Sequence, residues 1–265
     1  MVSVFTVDEG FYDSLFPCLN SLFFNTKTNH KVYIIYSNLE KVEEKKNLLQ
    51  NTFPKQEIIF KDISPLFQQF SITYNPYIMC LFTPFLVDEE KVFIHDTDII
   101  FNGNISYLYN TNIDMFDIGA FKSSCSPSQF IRWIRQNKSK NGIFHGGKIL
   151  DAGSVLMNIH RLNKRGYQKR IIQLMQNFPI NDMILYNAYC QGGFVPLNRT
   201  RVVYRSDAIP TSGNLGDYDL VHYTEKPKPW DLTSKAEIEK MNPVEKKKYN
   251  LFQNLWESYS LSLNR

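Results

Sequence analysis

Lys91-Val92-Phe93-Ile94-His95-Asp96-Thr97-Asp98-Ile99-Ile100-Phe101 is an apolar run interrupted by two acids and then resumed. A run of β-branched and aromatic residues this long reads as a strand buried on both faces, where a carboxylate is costly unless something pairs with it. Residues two apart in extended chain point to the same side, so Asp96 and Asp98 can turn both carboxylates toward one point at the strand's end. One divalent cation would satisfy both. Hard cations such as Mg²⁺ and Mn²⁺ take oxygen ligands and keep positions open for phosphate oxygens, which makes a nucleotide diphosphate the natural third party. Turn residues at a strand end are the competing account, because an Asp-x-Asp often arises by chance.

Outward from this stretch, the composition sets the class. The chain has 265 residues, 43% of them apolar and 14% aromatic, which suits an ordered globular protein with a large core. The simplest division is one α/β domain over residues 1–230 and a small helical addition over 231–265. A net charge of +4, dispersed apart from Lys246-Lys247-Lys248, predicts no nucleic-acid partner and reads that run as a solvated helix face. No stretch has the length of apolar sequence a membrane helix needs, and no basic region followed by an apolar leader opens the chain. A soluble, cytoplasmic protein is expected, and a homodimer is compatible with the sequence. Cys18, Cys80, Cys125 and Cys190 lie far apart without metal-type spacing and read as reduced thiols.

Val2–Val7 predicts a strand, Asp8-Glu9-Gly10 a turn, and Phe11–Phe24 a helix, the opening of a nucleotide-binding α/β unit. Neither Gly-x-Gly-x-x-Gly nor a Walker loop is present. The turn could meet a base, Asp8 accepting from an imide N–H and Phe11 stacking; helix capping by Asp8 and core packing by Phe11 is the structural alternative. Strands at Lys31–Tyr36 and Glu57–Phe60 alternate with a helix at Leu39–Gln50, which predicts crossovers and a mostly parallel sheet. Tyr77–Val87 reads as a buried helix kinked near Pro84. A strand at Phe116–Phe121 precedes a short helix at Ser126–Lys140 bearing Arg132, Trp133 and Arg135. Then comes a Gly-rich loop, 141–147, whose His145 is a candidate base or metal ligand.

Asp151–Ile159 predicts a strand in which Gly153 permits close approach of a ligand and Asp151 could accept from sugar hydroxyls; a bulge is the structural alternative. Helices are expected at His160–Asn177 and Ile180–Gln191, with Asp182 placed to cap the second. Short strands are expected near 194–197 and 201–204. In Asp219–Trp230, His222 could join a metal already held by two carboxylates, and Lys228 could meet phosphate charge. Ser234–Leu261 reads as a helix whose stripe of Tyr249, Leu251, Phe252, Leu255, Trp256 and Tyr259 docks on the domain.

With the acidic strand, Asp151-Ala152-Gly153 and His222-Tyr223-Thr224-Glu225-Lys226-Pro227-Lys228-Pro229-Trp230 in this order, residues 2–230 resemble the family-eight glycosyltransferases. That group of retaining GT-A enzymes includes glycogenin and bacterial lipopolysaccharide galactosyltransferases. The resemblance implies a mostly parallel sheet flanked by helices. It also implies metal-dependent transfer of a hexose, glucose or galactose, from a UDP-sugar to a glycan, lipid or protein acceptor. By that resemblance Asp96, Asp98 and His222 hold Mn²⁺ (or Mg²⁺), and Lys228 contacts the donor diphosphate. Thr6, Val7, Asp8 and Phe11 fall where the family binds uridine, and Thr97 is the place to seek the ribose contact. Asp151 and Gly153 match the outer positions of the family's Asn-Ala-Gly near the donor sugar. Asp182 through Asn187 resembles its Asp-Gln-x-x-Leu-Asn, with a register starting at Asn181 fitting as well, so Asp182 and Asp151 are the candidate catalytic carboxylates. Three departures stand out: Cys80 where the family has Arg or Lys, Glu225 where it has Gly, and Met183 or Asp182 where it has Gln. They keep open a noncatalytic or weakly active nucleotide-sugar-binding protein. An aspartyl phosphotransferase also uses Asp-x-Asp, but Gly216-Asp217-Tyr218-Asp219 does not supply its later acid cluster.

Overall fold

The structure is a computed structural model that describes residues 1–26, 28–136, 146–178, 181–207, 214–231 and 235–260. Its strands are β1 (Val2–Val7), β2 (Lys31–Tyr36), β3 (Glu57–Asp62), β4 (Lys91–His95), β5 (Ile99–Phe101), β6 (Ile118–Lys122), β7 (Leu150–Asn158), β8 (Val195–Pro196), β9 (Val202–Tyr204) and β10 (Leu220–His222). Its α-helices are α1 (Tyr12–Asn25), α2 (Val42–Thr52), α3 (Ser64–Gln69), α4 (Thr83–Leu86), α5 (Ser106–Tyr109), α6 (Pro127–Gln136), α7 (Ile159–Lys164), α8 (Tyr167–Asn177), α9 (Asp182–Cys190), α10 (Lys235–Glu239) and α11 (Pro243–Ser260). The chain divides into two compact units, one of residues 1–9, 29–96 and 108–198, the other of 10–28, 97–107 and 199–265.

The first unit is built on a seven-stranded sheet in the order β3-β2-β1-β4-β7-β6-β8. From β3 to β4 all neighbours are parallel; β7 runs antiparallel to both β4 and β6, and β8 is parallel to β6. Parallel neighbours need crossovers, and strands covered on both faces read as unbroken apolar runs. Val4, Phe5, Ile34, Ile35, Val92 and Phe93 accordingly lie wholly out of solvent. Because β1 and β4 are parallel, with Phe5 paired to His95, Asp8 and Asp96 follow the same, carboxyl end of the sheet, where ligands bind in such folds.

The second unit holds a three-stranded sheet, β5-β10-β9, with β10 antiparallel to β5 and parallel to β9. Helix α11 covers it: Phe252 and Trp256 pack with Ile100, Val203, Val221 and Tyr223, and the Tyr223 hydroxyl donates to the Phe252 carbonyl at 2.8 Å. Asn25 of α1 donates to the Phe101 carbonyl and to the Tyr259 hydroxyl, tying α1, β5 and α11 together. The apolar stripe of α11 thus packs on this sheet. At Gly103 a Cβ would come within 2.0 Å of Asp219 Oδ1, a carboxylate held by two hydrogen bonds from Arg201, so only glycine fits.

Four elements differ from the sequence reading. The 91–101 run is two strands in two sheets, separated at 96–98. Tyr77–Val87 is not one kinked helix but a 3₁₀ helix, Pro76–Phe82, followed by the single turn of α4, because Pro84 has no N–H to continue a ladder and instead sits in a first turn. His160–Asn177 is broken into α7 and α8 at Gly166, whose φ of +71° is left-handed. The C-terminal helix is likewise two. Asn242 accepts from the amides of Val244 and Glu245 while Glu245 accepts from the Asn242 amide, a reciprocal cap that starts α11 at Pro243. Residues 137–140 of the expected Ser126–Lys140 helix, together with His145 and most of the Gly-rich loop, lie outside the described residues. Cysteines 18, 80, 125 and 190 are free thiols, as expected. Among the described residues no helix is long and apolar enough to cross a membrane.

Candidate functional site

Strand β4 ends where the Asp96 amide donates to the Gly153 carbonyl at 2.9 Å. The next residue, Thr97, is buried, and its hydroxyl is hydrogen-bonded to that of Ser14 of α1 at 2.7 Å. Strand β5 then begins with Ile99 paired to His222, the last residue of β10, and the Tyr223 amide donates to the Asp98 carbonyl. This register brings a histidine far away in sequence to Asp98: His222 Nε2 is 3.0 Å from Asp98 Oδ1. Lys228 Nζ is 2.6 Å from Asp98 Oδ2 and donates also to the Tyr223 carbonyl. Asp98 is 8% exposed and His222 5%. Burial alone would raise the Asp98 pKa, but His222 and Lys228 outweigh it and hold the carboxyl at about 2.

Asp96 is joined to Asp98 through a single residue. One ligand atom from each of Asp96, Asp98 and His222 lies within 4.8 Å of the others, as a shared cation requires. Asp98 Oδ1 accepts no aligned hydrogen bond among the described residues, although the imidazole nitrogen is at 3.0 Å, so this buried oxygen still has a lone pair to give. Two carboxylates and one imidazole suit Mn²⁺ or Mg²⁺ and lack the thiolates a structural zinc site favours.

The loop that carries Lys228 is held by a residue the sequence reading passed over. Arg205, 4% exposed, donates from Nη1 to the carbonyls of Glu225 (3.3 Å) and Pro227 and from Nη2 to that of Lys226 (3.5 Å). Its guanidinium also lies 5.1 Å from the Tyr249 ring of α11. The available signal was an arginine directly after the buried strand Val202-Val203-Tyr204, a place where a charge needs partners. Glu225 contributes its carbonyl to this clamp, and its side chain is exposed.

The first unit supplies a group of acids. Asp151 accepts from the Gly153 amide at 3.1 Å, within a stretch where four residues of β7, 151–154, face the single Phe121 of β6, the bulge considered above. Asp182 is not the cap of α9. Asn181 takes that role, accepting from the Ile184 amide at 3.1 Å, because it holds the extended backbone a cap needs; Asp182 accepts from Met183 at 2.6 Å. Half-buried Asp182 is raised to about 7, first by loss of solvent, then by the charges of Asp96 and Asp151, against the lowering effect of backbone N–H groups. Cys80 is buried, and burial together with the charges of Asp182 and Asp96 pushes its thiol well up, so it faces these acids uncharged.

Thr6 is half-buried and Val7 buried at the end of β1. Asp8 accepts from the Tyr74 hydroxyl at 2.5 Å and does not cap α1, whose first flanking residue is Phe11 without a side-chain cap. Phe11 is half-buried, its carbonyl accepting from Ser14.

The sequence model described as Glycosyl transferase family 8 matches residues 3–234. The fold is similar to that of the galactosyltransferase LgtC, solved with donor and acceptor sugar analogues (TM-score 0.67, 17% identity, 98% of this chain and 100% of that one). It is also similar to the WbbM bifunctional glycosyltransferase (0.68, 15%, 95% of this chain and 51% of that one), of which the chain spans about half the length. A third similar structure is the glycosyltransferase GlyE of Streptococcus pneumoniae TIGR4 (0.64, 14%, 97% and 62%). These likenesses show a GT-A fold, mixed α/β around a mostly parallel sheet. Among curated proteins none matches the chain in sequence.

Proposed function

Because the chain belongs to glycosyl transferase family 8, we propose that this glycosyltransferase is a retaining, metal-dependent hexosyltransferase using a UDP-sugar, with glucose or galactose as the transferred group. The acceptor class is a glycan, free or borne on lipid or protein. Residues 1–230 form the catalytic part in this reading and 231–265 its helical extension. The observation that carries it is the meeting of Asp96, Asp98 and His222 beside Lys228.

Asp96, Asp98 and His222 would hold the cation, which when bound supplies Lewis-acid stabilisation of the charge on the departing diphosphate. Lys228, aimed by the Arg205 clamp, adds a second positive charge for the phosphates. The charges of His222 and Lys228, which outweigh burial, keep Asp98 ionised across the working pH range, so its Oδ1 remains available. Thr6, Val7, Asp8 and Phe11 are assigned to the uridine, Thr97 and Gly153 to the ribose and donor-sugar edge. Asp182 and Asp151 are assigned to the sugar itself, where a carboxylate opposes the positive charge that develops at the anomeric carbon. With a pKa of about 7, Asp182 is ionised in the upper part of the physiological range and able to hold a proton in the lower.

A second reading, binding with little or no turnover, is favoured by Cys80, an uncharged group where the resemblance led us to expect a cation. A screen of UDP-sugars for hydrolysis or transfer with Mn²⁺ separates the two. Turnover of UDP-glucose or UDP-galactose that EDTA abolishes is expected; tight UDP binding with no turnover of any donor supports the second reading.

A further inference from the structure

Asp8, assigned above to the uridine, does not stand alone at the carboxyl end of β1. Its turn is fixed on one side by the segment that follows β2. The Ser37 amide donates to the Val7 carbonyl, and Glu9 accepts from the Glu40 amide at 3.0 Å and from Lys45 at 2.7 Å. On another side stands Tyr74, whose hydroxyl donates to Asp8 Oδ2 at 2.5 Å. The Asn38 side chain is hydrogen-bonded to the same hydroxyl, from a backbone with a φ of +50°. Asparagine is among the few residues that adopt this left-handed conformation readily. Residues from three separate segments of the first unit thus meet at one carboxylate.

The Tyr74 ring is itself anchored. It is half-buried against the core with its centroid 6.3 Å from that of Phe67, and the Ile72 amide donates to the Phe67 carbonyl just before it. A phenol has only two side-chain torsions, so once its ring is packed its oxygen is fixed in space. Loss of solvent and the neighbouring Asp8 push this phenol above its ordinary range, so it keeps its proton and donates. The 2.5 Å separation is that of a charge-assisted O–H···O⁻ bond, stronger than one between neutral groups. A carboxylate offers roughly four lone-pair sites and no proton. With one site engaged by Tyr74, Asp8 can still accept from an imide N–H, the donor that uracil presents between its two carbonyls. Cytosine presents a bare nitrogen there, an acceptor that a carboxylate repels. Telling the two bases apart therefore depends on where the carboxylate points as well as on its charge.

We propose that Tyr74 is a positioning residue for base selection: its hydroxyl holds the Asp8 carboxylate in the orientation that accepts the uracil imide and rejects cytosine. The inference rests on the assignment of Asp8 to the uridine and goes beyond it by naming what sets the orientation. UDP and CDP differ only at the base edge, so the ratio of their affinities, read by calorimetry on the full chain with Mn²⁺, isolates this contact. The parent should bind UDP about tenfold or more tightly than CDP. Tyr74→Phe removes one oxygen and keeps the ring; it should cut that preference about fivefold or more by weakening UDP, while CDP affinity stays within about twofold. In Asp8→Asn the preference should vanish, since a carboxamide can also donate to the cytosine nitrogen. With UDP-glucose or UDP-galactose as donor, Tyr74→Phe should raise KM and leave kcat within about twofold, because a base contact is the same in the ground and transition states. A Tyr74→Phe variant that keeps the parent's ratio, that weakens both nucleotides equally, or that loses kcat at unchanged KM would overturn the inference and leave a merely structural hydrogen bond. No preference in the parent, or an unchanged ratio in Asp8→Asn, would overturn it together with the assignment of Asp8. The nucleotide ratio is read without turnover, so a missing transferase activity is distinguished from a missing role for Tyr74.

Discussion

Asp182→Asn should make the protein more stable at alkaline pH while removing transfer. The Asp182 carboxyl is raised from 3.8 to about 7 because burial strips its solvent and Asp96 and Asp151 repel its charge. Below 3.8 both folded and unfolded chains carry the proton, so the side chain costs nothing. Between 3.8 and about 7 the folded chain keeps a proton that the unfolded chain has released, and stability falls as pH rises, by up to about 1.4 kcal/mol per pH unit. Above 7 the full penalty is present, with a ceiling of about 4 kcal/mol from the size of the shift. Local relaxation and solvent screening bring that to roughly 1–3 kcal/mol. Asparagine has no charge to desolvate, and its carbonyl oxygen can still accept from the Met183 amide. Urea unfolding of parent and variant in EDTA, at pH 4, 6 and 8, reads the difference directly. The variant should gain less than about 0.5 kcal/mol at pH 4 and about 1–3 kcal/mol at pH 8, and Mn²⁺ should shrink the gain by offsetting the charge of Asp96. No gain at pH 8, or the same gain at pH 4, would refute the reasoning.

Chelation should weaken UDP binding at least tenfold, since Asp96 and Asp98 would otherwise confront the diphosphate as bare charges; calorimetry with and without EDTA checks this, and equal affinities would remove the metal assignment. Arg205→Met should cost about 2–4 kcal/mol in urea unfolding and expose the Glu225–Lys226 bond to a glutamyl endopeptidase, because the carbonyls of residues 225–227 lose a charged donor; a variant as stable and as protease-resistant as the parent would deny the clamp. Trp256→Ala should destabilise by about 3–5 kcal/mol, the usual cost of emptying a buried indole site, whereas a change under about 1 kcal/mol would mean that α11 is not part of the fold's core. Glu225→Gly should leave UDP affinity within about 0.5 kcal/mol because the side chain is exposed; a tenfold tightening would place its charge against the phosphates.

Residues whose burial follows from their own neighbourhood were legible before any coordinates. The apolar runs that became β1, β2 and β4 and the stripe of α11 announce themselves through local composition and period, and Asp96, Asp98 and His222, which the fold brings together, were nominated from their residue types and order as a candidate cation site. Sequence reasoning failed where two structures share one local signature. The 91–101 run is equally apolar whether it makes one strand or, as here, two in separate sheets. Helix breaks at Gly166 and Asn242 were hidden inside amphipathic patterns that continue on either side, since one left-handed residue or one cap outweighs a periodicity built from many weak preferences.

What the sequence by itself determined, then, is which side chains cannot be left alone: two acids in an apolar run and a histidine at a strand end. What only the tertiary structure decided is who meets whom. The pairing of Ile99 with His222 brings the imidazole to Asp98, and the fold of the first unit strips solvent from Asp182 and brings Asp96 and Asp151 near it, which together hold its proton to about 7. Folding closes Arg205 over the loop that aims Lys228. The physical reason is the range of the forces. Backbone preference and hydrophobic period act within a few residues along the chain, whereas charge repulsion, desolvation and strand register act through space, between residues the chain brings together only when it folds.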